Sequence, residues 1–238
     1  MHIPDGFLDI KTWTSSAAVA SGVIAYSLKG VRKGLGDRQV PMVGVLAAFV
    51  FAAQMVNFPI LGGTSGHLIG STFLAVVIGP WAAALVMTVV LLIQCLVFGD
   101  GGITALGANV LNMAVIAVFV GYYVYTVLTR ASRRVYGKEN NRIRIFAAFV
   151  ASWVSVLAAA LACALEISAS GMIAPGLAIS AMLFWHTFIG LGEGAITAAI
   201  LAYLLETKSE VLASMTNSDG AYTDANVVFR TAESDGGK

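Results

Sequence analysis

Charge is what this chain has least of. Lys, Arg, Asp and Glu make up 11% of its 238 residues, where a soluble domain carries roughly 25%. Apolar residues make up 58%. No soluble fold of this length has interior enough to hide that much apolar surface, so the bilayer is the expected solvent. Cysteine is nearly absent. Cys95 and Cys163 each lie inside an apolar run and form no CxxC pair. That excludes a disulfide framework and leaves two small buried hydrophobes. There is no Walker A pattern, so the chain does not hydrolyse ATP in the P-loop manner. The net charge of +1 identifies no partner, and no nucleic-acid partner is expected. No internal repeat is visible.

What is present is a series of apolar stretches. A bilayer-spanning helix needs ~20 mostly apolar residues. Seven segments qualify as expected spans: 13–29, 41–57, 67–79, 81–98, 103–129, 144–168 and 177–205. The third is short and ends at Gly79-Pro80, where a helix breaks, so it is expected to tilt, re-enter or pack behind its neighbours. The fifth and seventh are long enough to tilt or kink. Gly190, Gly192 and Gly194 in the seventh permit close packing or a bend.

The few charges then orient the spans. Lys29, Arg32, Lys33 and Arg38 separate spans one and two. Arg130, Arg133, Arg134, Lys138, Arg142 and Arg144 separate five and six, and Lys208, Arg230 and Lys238 follow span seven. Seven spans put all of these on one face, which the positive-inside rule makes cytoplasmic. Only Lys11 is left for the other side. The expected fold is an all-α integral membrane protein with the N-terminus outside and the C-terminus cytoplasmic, multi-pass in the cell membrane. Residues 1–205 form one membrane domain. Residues 206–238, rich in Ser, Asn, Asp and Gly, are expected to be a disordered polar tail. Residues 1–25 do not read as a cleaved signal peptide, because Asp5 and Asp9 precede Lys11.

Few residues remain that can do chemistry, and histidine has only three copies. His2 stands directly behind the start. The Met1 amine and the His2 amide nitrogen close a five-membered chelate ring. The His2 amide and its own Nδ1 close a six-membered one. Three coplanar nitrogens result, with one corner open, a set that suits Ni(II) or Cu(II), and Co(II) less strictly. Tetrahedral zinc fits less well. The fourth nitrogen comes from His67 or His186. His67 follows Gly62, Gly63, Thr64, Ser65 and Gly66, a stretch whose glycines allow close backbone approach. Irregular backbone at membrane depth lines a cavity or is buried in protein. Gln54, Asn57 and Ser65 lie near enough in sequence to support an imidazole from outside the coordination sphere. His186 and Glu193 are seven apart and share a helix face, and ionisable groups within a membrane are functional candidates. Asp5 and Asp100 are outward acids that attract cations. Glu166 is expected at an interface. Trp13, Trp81, Trp153 and Trp185 read as interface or packing residues.

The start MHIPDGFLD and the run Asn57–His67 followed by Leu68-Ile69-Gly70 closely resemble the substrate-binding component of cobalt and nickel energy-coupling-factor transporters, the CbiM/NikM type. The resemblance covers residues 1 to about 205. It implies that the N-terminal amine, the His2 amide and ring nitrogens, and His67 bind the ion. It implies no catalytic cofactor, with Ni(II) or Co(II) as transported substrate. It implies partners: a membrane coupling subunit, two ATPase subunits and a small accessory membrane subunit. Gly44, Ala48 and Ala52 form a small-residue ridge. Internal packing is one reading of it, and the resemblance suggests docking onto the coupling subunit as another.

Two rival readings remain. Gly63-Thr64-Ser65-Gly66 matches GxSG, the nucleophile motif of rhomboid intramembrane proteases, with His186 as a base. A binding component for an organic vitamin is the other, although it has no use for an N-terminal histidine.

Overall fold

The computed structural model describes residues 1–31, 40–60, 64–137 and 140–206. The tail from 207, Gly62 and Gly63, and Arg32, Lys33, Arg38 and Lys138 lie outside the described residues. Seven helices and one small hairpin follow in order: α1 (Ile10–Val31), α2 (Val40–Met55), β1 (Phe58–Ile60), β2 (Thr64–Gly66), α3 (Ser71–Ile78), α4 (Pro80–Phe98), α5 (Leu106–Tyr136), α6 (Asn141–Ala169) and α7 (Pro175–Glu206). The strands pair antiparallel with Pro59 opposite Ser65.

Each expected apolar segment falls on one of these helices. By length and composition, α4, α5, α6 and α7 can each cross a membrane. The third segment is where the structure departs most from the sequence. Residues 67–70 are irregular rather than helical, and α3 has only eight residues. At ~1.5 Å per residue that is about 12 Å, far short of the ~30 Å hydrocarbon core. Gly70 (φ +78°) begins α3 and Gly79 (φ +81°) ends it, both in a backbone region that disfavours side chains. Pro80 then starts α4 at a position where its missing N–H costs nothing.

Every residue of α3 is buried. It packs against α4, α5 and α6 and forms the centre of the bundle. Gly121 of α5 makes this possible, because a Cβ there meets Thr72 of α3. α6 and α7 form the most extensive helix pair. Gly190 lies against Trp153, and Gly194 against the Phe149 carbonyl. These glycines serve close packing, while α7 runs uninterrupted from Pro175 to Glu206.

α5 contains a π-helical turn at Leu111–Ile116, a feature that costs regular hydrogen bonding and often marks a working part of a helix. Asn112 of that turn donates to Glu166 Oε2 (2.6 Å), and Ser16 Oγ donates to Glu166 Oε1 (2.7 Å). Glu166 therefore ties α1, α5 and α6 together.

One end of the bundle is gathered around the N-terminal segment. Asp5 accepts from the amides of Ile103 (3.2 Å) and Thr104 (2.8 Å). Asp9 caps α1 through the Thr12 amide (2.9 Å) and accepts from Ser170 Oγ (3.3 Å). Lys29, Arg133 and Arg134 lie in the last turns of α1 and α5, away from that end.

Candidate metal site

The first three residues are not a loose end. Met1 and Ile3 are 0% exposed and His2 is 4% exposed. They are threaded into the bundle and fixed through their backbone. The Ile3 amide donates to Asn109 Oδ1 (2.8 Å), while Asn109 Nδ2 and the Gly102 amide donate to the Ile3 carbonyl (3.1 and 2.9 Å). These bonds satisfy groups that are costly to bury alone. Gly101 (φ +94°) turns the loop past His2, and a Cβ there meets Asn109 and His2.

The Met1 amine points at the hairpin. It donates to the Ser65 carbonyl and to Ser65 Oγ (3.1 Å), and the His2 amide donates to the same hydroxyl (3.3 Å). Burial pushes the amine down to about 5, with Cys163 and Asp100 opposing. Burial thus favours the uncharged amine, which has a lone pair to give.

His2 lies between an acid and a second imidazole. Its Nδ1 is 2.7 Å from Asp100 Oδ1, and Asn57 Nδ2 donates to Asp100 Oδ2 (3.1 Å). Burial and the neighbouring amine hold His2 below its ordinary range, against the pull of Asp100. Burial raises the Asp100 carboxyl, but the bonds from His2 and Asn57 outweigh this and leave it low. The His2 and His67 rings stand 4.6 Å apart at 33°.

His67 is buried, and its Nδ1 is 2.8 Å from the Leu68 carbonyl. A carbonyl only accepts, so Nδ1 carries the proton and Nε2 keeps its lone pair. That Nε2 is buried and has no partner. The irregular turn after His67 is held from both sides. Gln54 Nε2 donates to the Ile69 carbonyl (2.6 Å), and the Ile69 and Gly70 amides donate to the two Glu193 oxygens (2.6 and 3.1 Å). Gln54 therefore fixes the turn rather than an imidazole, and Asn57 acts on His2 through Asp100. His186 is buried beside this turn, with its Nδ1 2.8 Å from the Met182 carbonyl.

The structure thus brings Met1, His2, His67 and Ser65 together, with Gln54, Asn57, His186 and Glu193 around them. Asn109 is the residue that sequence reasoning missed, and Asp100 was read only as a cation attractor. Ser65 Oγ finds its partners in Met1 and His2, and His186 Nδ1 in Met182, so the serine and the proposed base are each engaged elsewhere. Among the described residues no group of three or more His, Cys, Asp or Glu side chains could hold a metal ion. The nitrogens assembled here are partly main-chain ones, which such a set does not include. Gly44, Ala48 and Ala52 lie on one exposed face of α2, with nothing against Gly44.

Comparison with known proteins identifies the family. The model of the CbiM family, described as a cobalt uptake substrate-specific transmembrane region, matches residues 2–211. A putative fused nickel transport protein NikMN of Archaeoglobus fulgidus is 44% identical over 214 residues, covering 89% of this chain and 68% of that protein. The cobalt transport protein CbiM of Sorangium cellulosum is 34% identical over 218 residues, covering 89% of this chain and 94% of its own. A crystal structure described as that of a transition metal transporter superposes with a TM-score of 0.80 at 36% identity, covering 91% of this chain and 98% of the other.

Proposed function

Because the chain belongs to the CbiM family, and is a multi-pass membrane protein, we propose that it is the ion-capturing subunit of an energy-coupling-factor uptake system for Ni(II) or Co(II). The observation that carries this reading is the seating of the N-terminus: a fully buried Met1 amine on Ser65, beside two imidazoles 4.6 Å apart. The ion takes four nitrogens: the Met1 amine, the His2 amide, His2 Nδ1 and His67 Nε2. Ser65 holds the first two on one side before the ion arrives. Capture turns the His2 ring away from Asp100, so that Nδ1 meets the ion and the neutral ring carries its proton on Nε2. The His2 amide proton leaves to solvent, which makes binding weaker in acid. No covalent chemistry follows, and the ion is cargo.

The same reading assigns the remaining parts. Seven helices lie in the cell membrane, with the N-terminus outside and the basic helix ends cytoplasmic. Residues 1–205 act as one membrane domain. A membrane coupling subunit docks on the exposed Gly44–Ala48–Ala52 face, two ATPase subunits supply the energy, and a small accessory membrane subunit completes the system.

The test is the metal content of the purified, untagged protein. It should bind Ni(II) with a yellow, square-planar spectrum. One residue added before Met1 removes the chelating amine and should abolish that spectrum. If the extended protein binds nickel equally well, the reading is wrong.

A further inference from the structure

The nitrogens gathered at the N-terminus are shut away from water. Met1 is 0% exposed, and His67 is buried too. An ion must still reach them. The His2 side chain is 2% exposed, while that of Asp100, 2.7 Å from its Nδ1, is 17% exposed. His186 and Glu193 are buried as well. Of these ionisable groups, Asp100 alone meets both the site and solvent.

The carboxylate is presented by a fixed turn. The Asp100 amide donates to the Gln94 carbonyl near the end of α4 (2.9 Å). Asp100 Oδ1 meets His2, and Oδ2 accepts from Asn57 Nδ2 (3.1 Å). That second bond is exposed and bridges the loop after α4 to the chain after α2. A bond in water trades against bonds to water, so little holds it shut. One oxygen is thus committed to an imidazole, and the other is held by a side chain that can let go. Asp5 is exposed and bonded to the Ile103 and Thr104 amides of the same loop, where it adds a second negative charge.

We propose that Asp100 is the entry point for the ion. A hydrated divalent cation displaces the Asn57 amide, exchanges a water for Asp100 Oδ2, and passes to the nitrogens as the His2 ring turns from Oδ1. This rests on the four-nitrogen reading above. A fixed negative charge at a cleft steers cations and raises their rate of encounter. A carboxylate oxygen suits Ni(II) less well than nitrogen does, so the ion is handed on rather than kept. The Asn57 amide then returns to Oδ2 and closes the way out.

The experiment uses the untagged, detergent-purified protein and follows Ni(II) capture and release by stopped-flow absorbance. Wild type is compared with Asp100→Asn, Asp100→Glu, Asn57→Ala and His2→Ala. Asp100→Asn should capture nickel more slowly by about tenfold or more, and its rate should depend less on ionic strength. Asp100→Glu keeps the charge and should recover most of the rate. Asn57→Ala frees Oδ2 and should capture about threefold faster, so the inference stays testable even where Asp100→Asn fails to fold. A mere brace for His2 gives a different pattern: release speeds up in both Asp100→Asn and Asn57→Ala while capture keeps its wild-type rate. That pattern overturns the inference, and so does a capture rate in Asn57→Ala that falls with that of Asp100→Asn. If His2→Ala binds nickel as wild type does, the four-nitrogen reading itself fails. If His2→Ala loses nickel while Asp100→Asn captures it at the wild-type rate, only the entry role fails.

Discussion

Asn109 holds Ile3 at both ends of its peptide: Oδ1 accepts the Ile3 amide at 2.8 Å, and Nδ2 donates to the Ile3 carbonyl at 3.1 Å. A side chain on α5 thereby sets the register of the N-terminal segment, and with it the depth at which Met1 and His2 sit. Asn109→Leu keeps the branched shape, at a somewhat larger volume, and removes both bonds. Each is worth about 1 kcal/mol net, so nickel affinity should fall about tenfold while thermal stability drops only modestly. Protease access to residues 1–6 should rise in the same variant. Unchanged affinity would show that Gly102 and Asp5 suffice to fix the segment.

Glu193 makes the matching contact on the other side of the site. Its two oxygens accept the Ile69 and Gly70 amides in the buried interior. Glu193→Gln replaces one acceptor with a donor that faces an N–H. An unsatisfied buried amide costs about 1–3 kcal/mol. The melting temperature should drop by several degrees and nickel affinity by about tenfold or more. Glu193→Asp, which keeps two acceptors on a shorter stem, should be milder. Titration calorimetry on the three proteins tests the order.

Acid should unseat the N-terminus. Burial lowers the Met1 amine from its ordinary 8.0 to about 5. The unfolded chain therefore takes up a proton below pH 8, while the seated amine resists it until about pH 5. Stability from this group is fully present above pH 8 and is lost progressively as the pH falls to 5. His2, also lowered by burial, acts in the same direction. Between pH 8 and 5.5 the metal-free protein should lose more thermal stability than an N-terminally acetylated one, whose amine cannot titrate. Parallel curves for the two would contradict this.

Ser65 separates transport from proteolysis. Its hydroxyl accepts from the Met1 amine and the His2 amide, yet it is not one of the four nitrogens. Ser65→Ala should weaken nickel binding by no more than about tenfold, since the Ser65 carbonyl still faces the amine. His2→Ala should abolish it. A protease would show the reverse, with activity on a membrane substrate lost in Ser65→Ala and kept in His2→Ala.

The sequence made the proposed donors visible because their chemistry is local. A histidine at position 2 chelates through atoms of residues 1 and 2 alone, and glycines around His67 mark backbone that approaches something closely. Gln54 was misread because sequence proximity to His67 says nothing of which atom its amide meets, and it meets the Ile69 carbonyl. Asn109 was invisible for a deeper reason. It lies in an apolar stretch, and its partner is main chain at Ile3, which carries no side-chain signature. Asp100, among glycines, signalled an outward loop but not its 2.7 Å contact with His2. The apolar pattern placed each helix of the described residues, but not the length of α3, since residues 67–70 are as apolar as a helix start, and their backbone is instead bonded to Gln54 and Glu193. The π turn at Leu111–Ile116 left no mark either, because its residues are ordinary helix residues held by Asn112 and Glu166.

The N-terminal segment also has a consequence for assembly. Met1 meets Ser65, Ile3 meets Asn109, and the Met1 carbonyl meets Cys163, across 64, 106 and 162 residues of sequence. Ser65 and Asn109 are already in the chain when α5 is made, and only Cys163 waits for α6. The contact of the Met1 carbonyl with Cys163 closes a loop of 162 residues and belongs late in folding. A chain halted after α5 seats its N-terminal residues on one side alone. On the proposed reading, the affinity for cargo should therefore report how completely the bundle has been inserted.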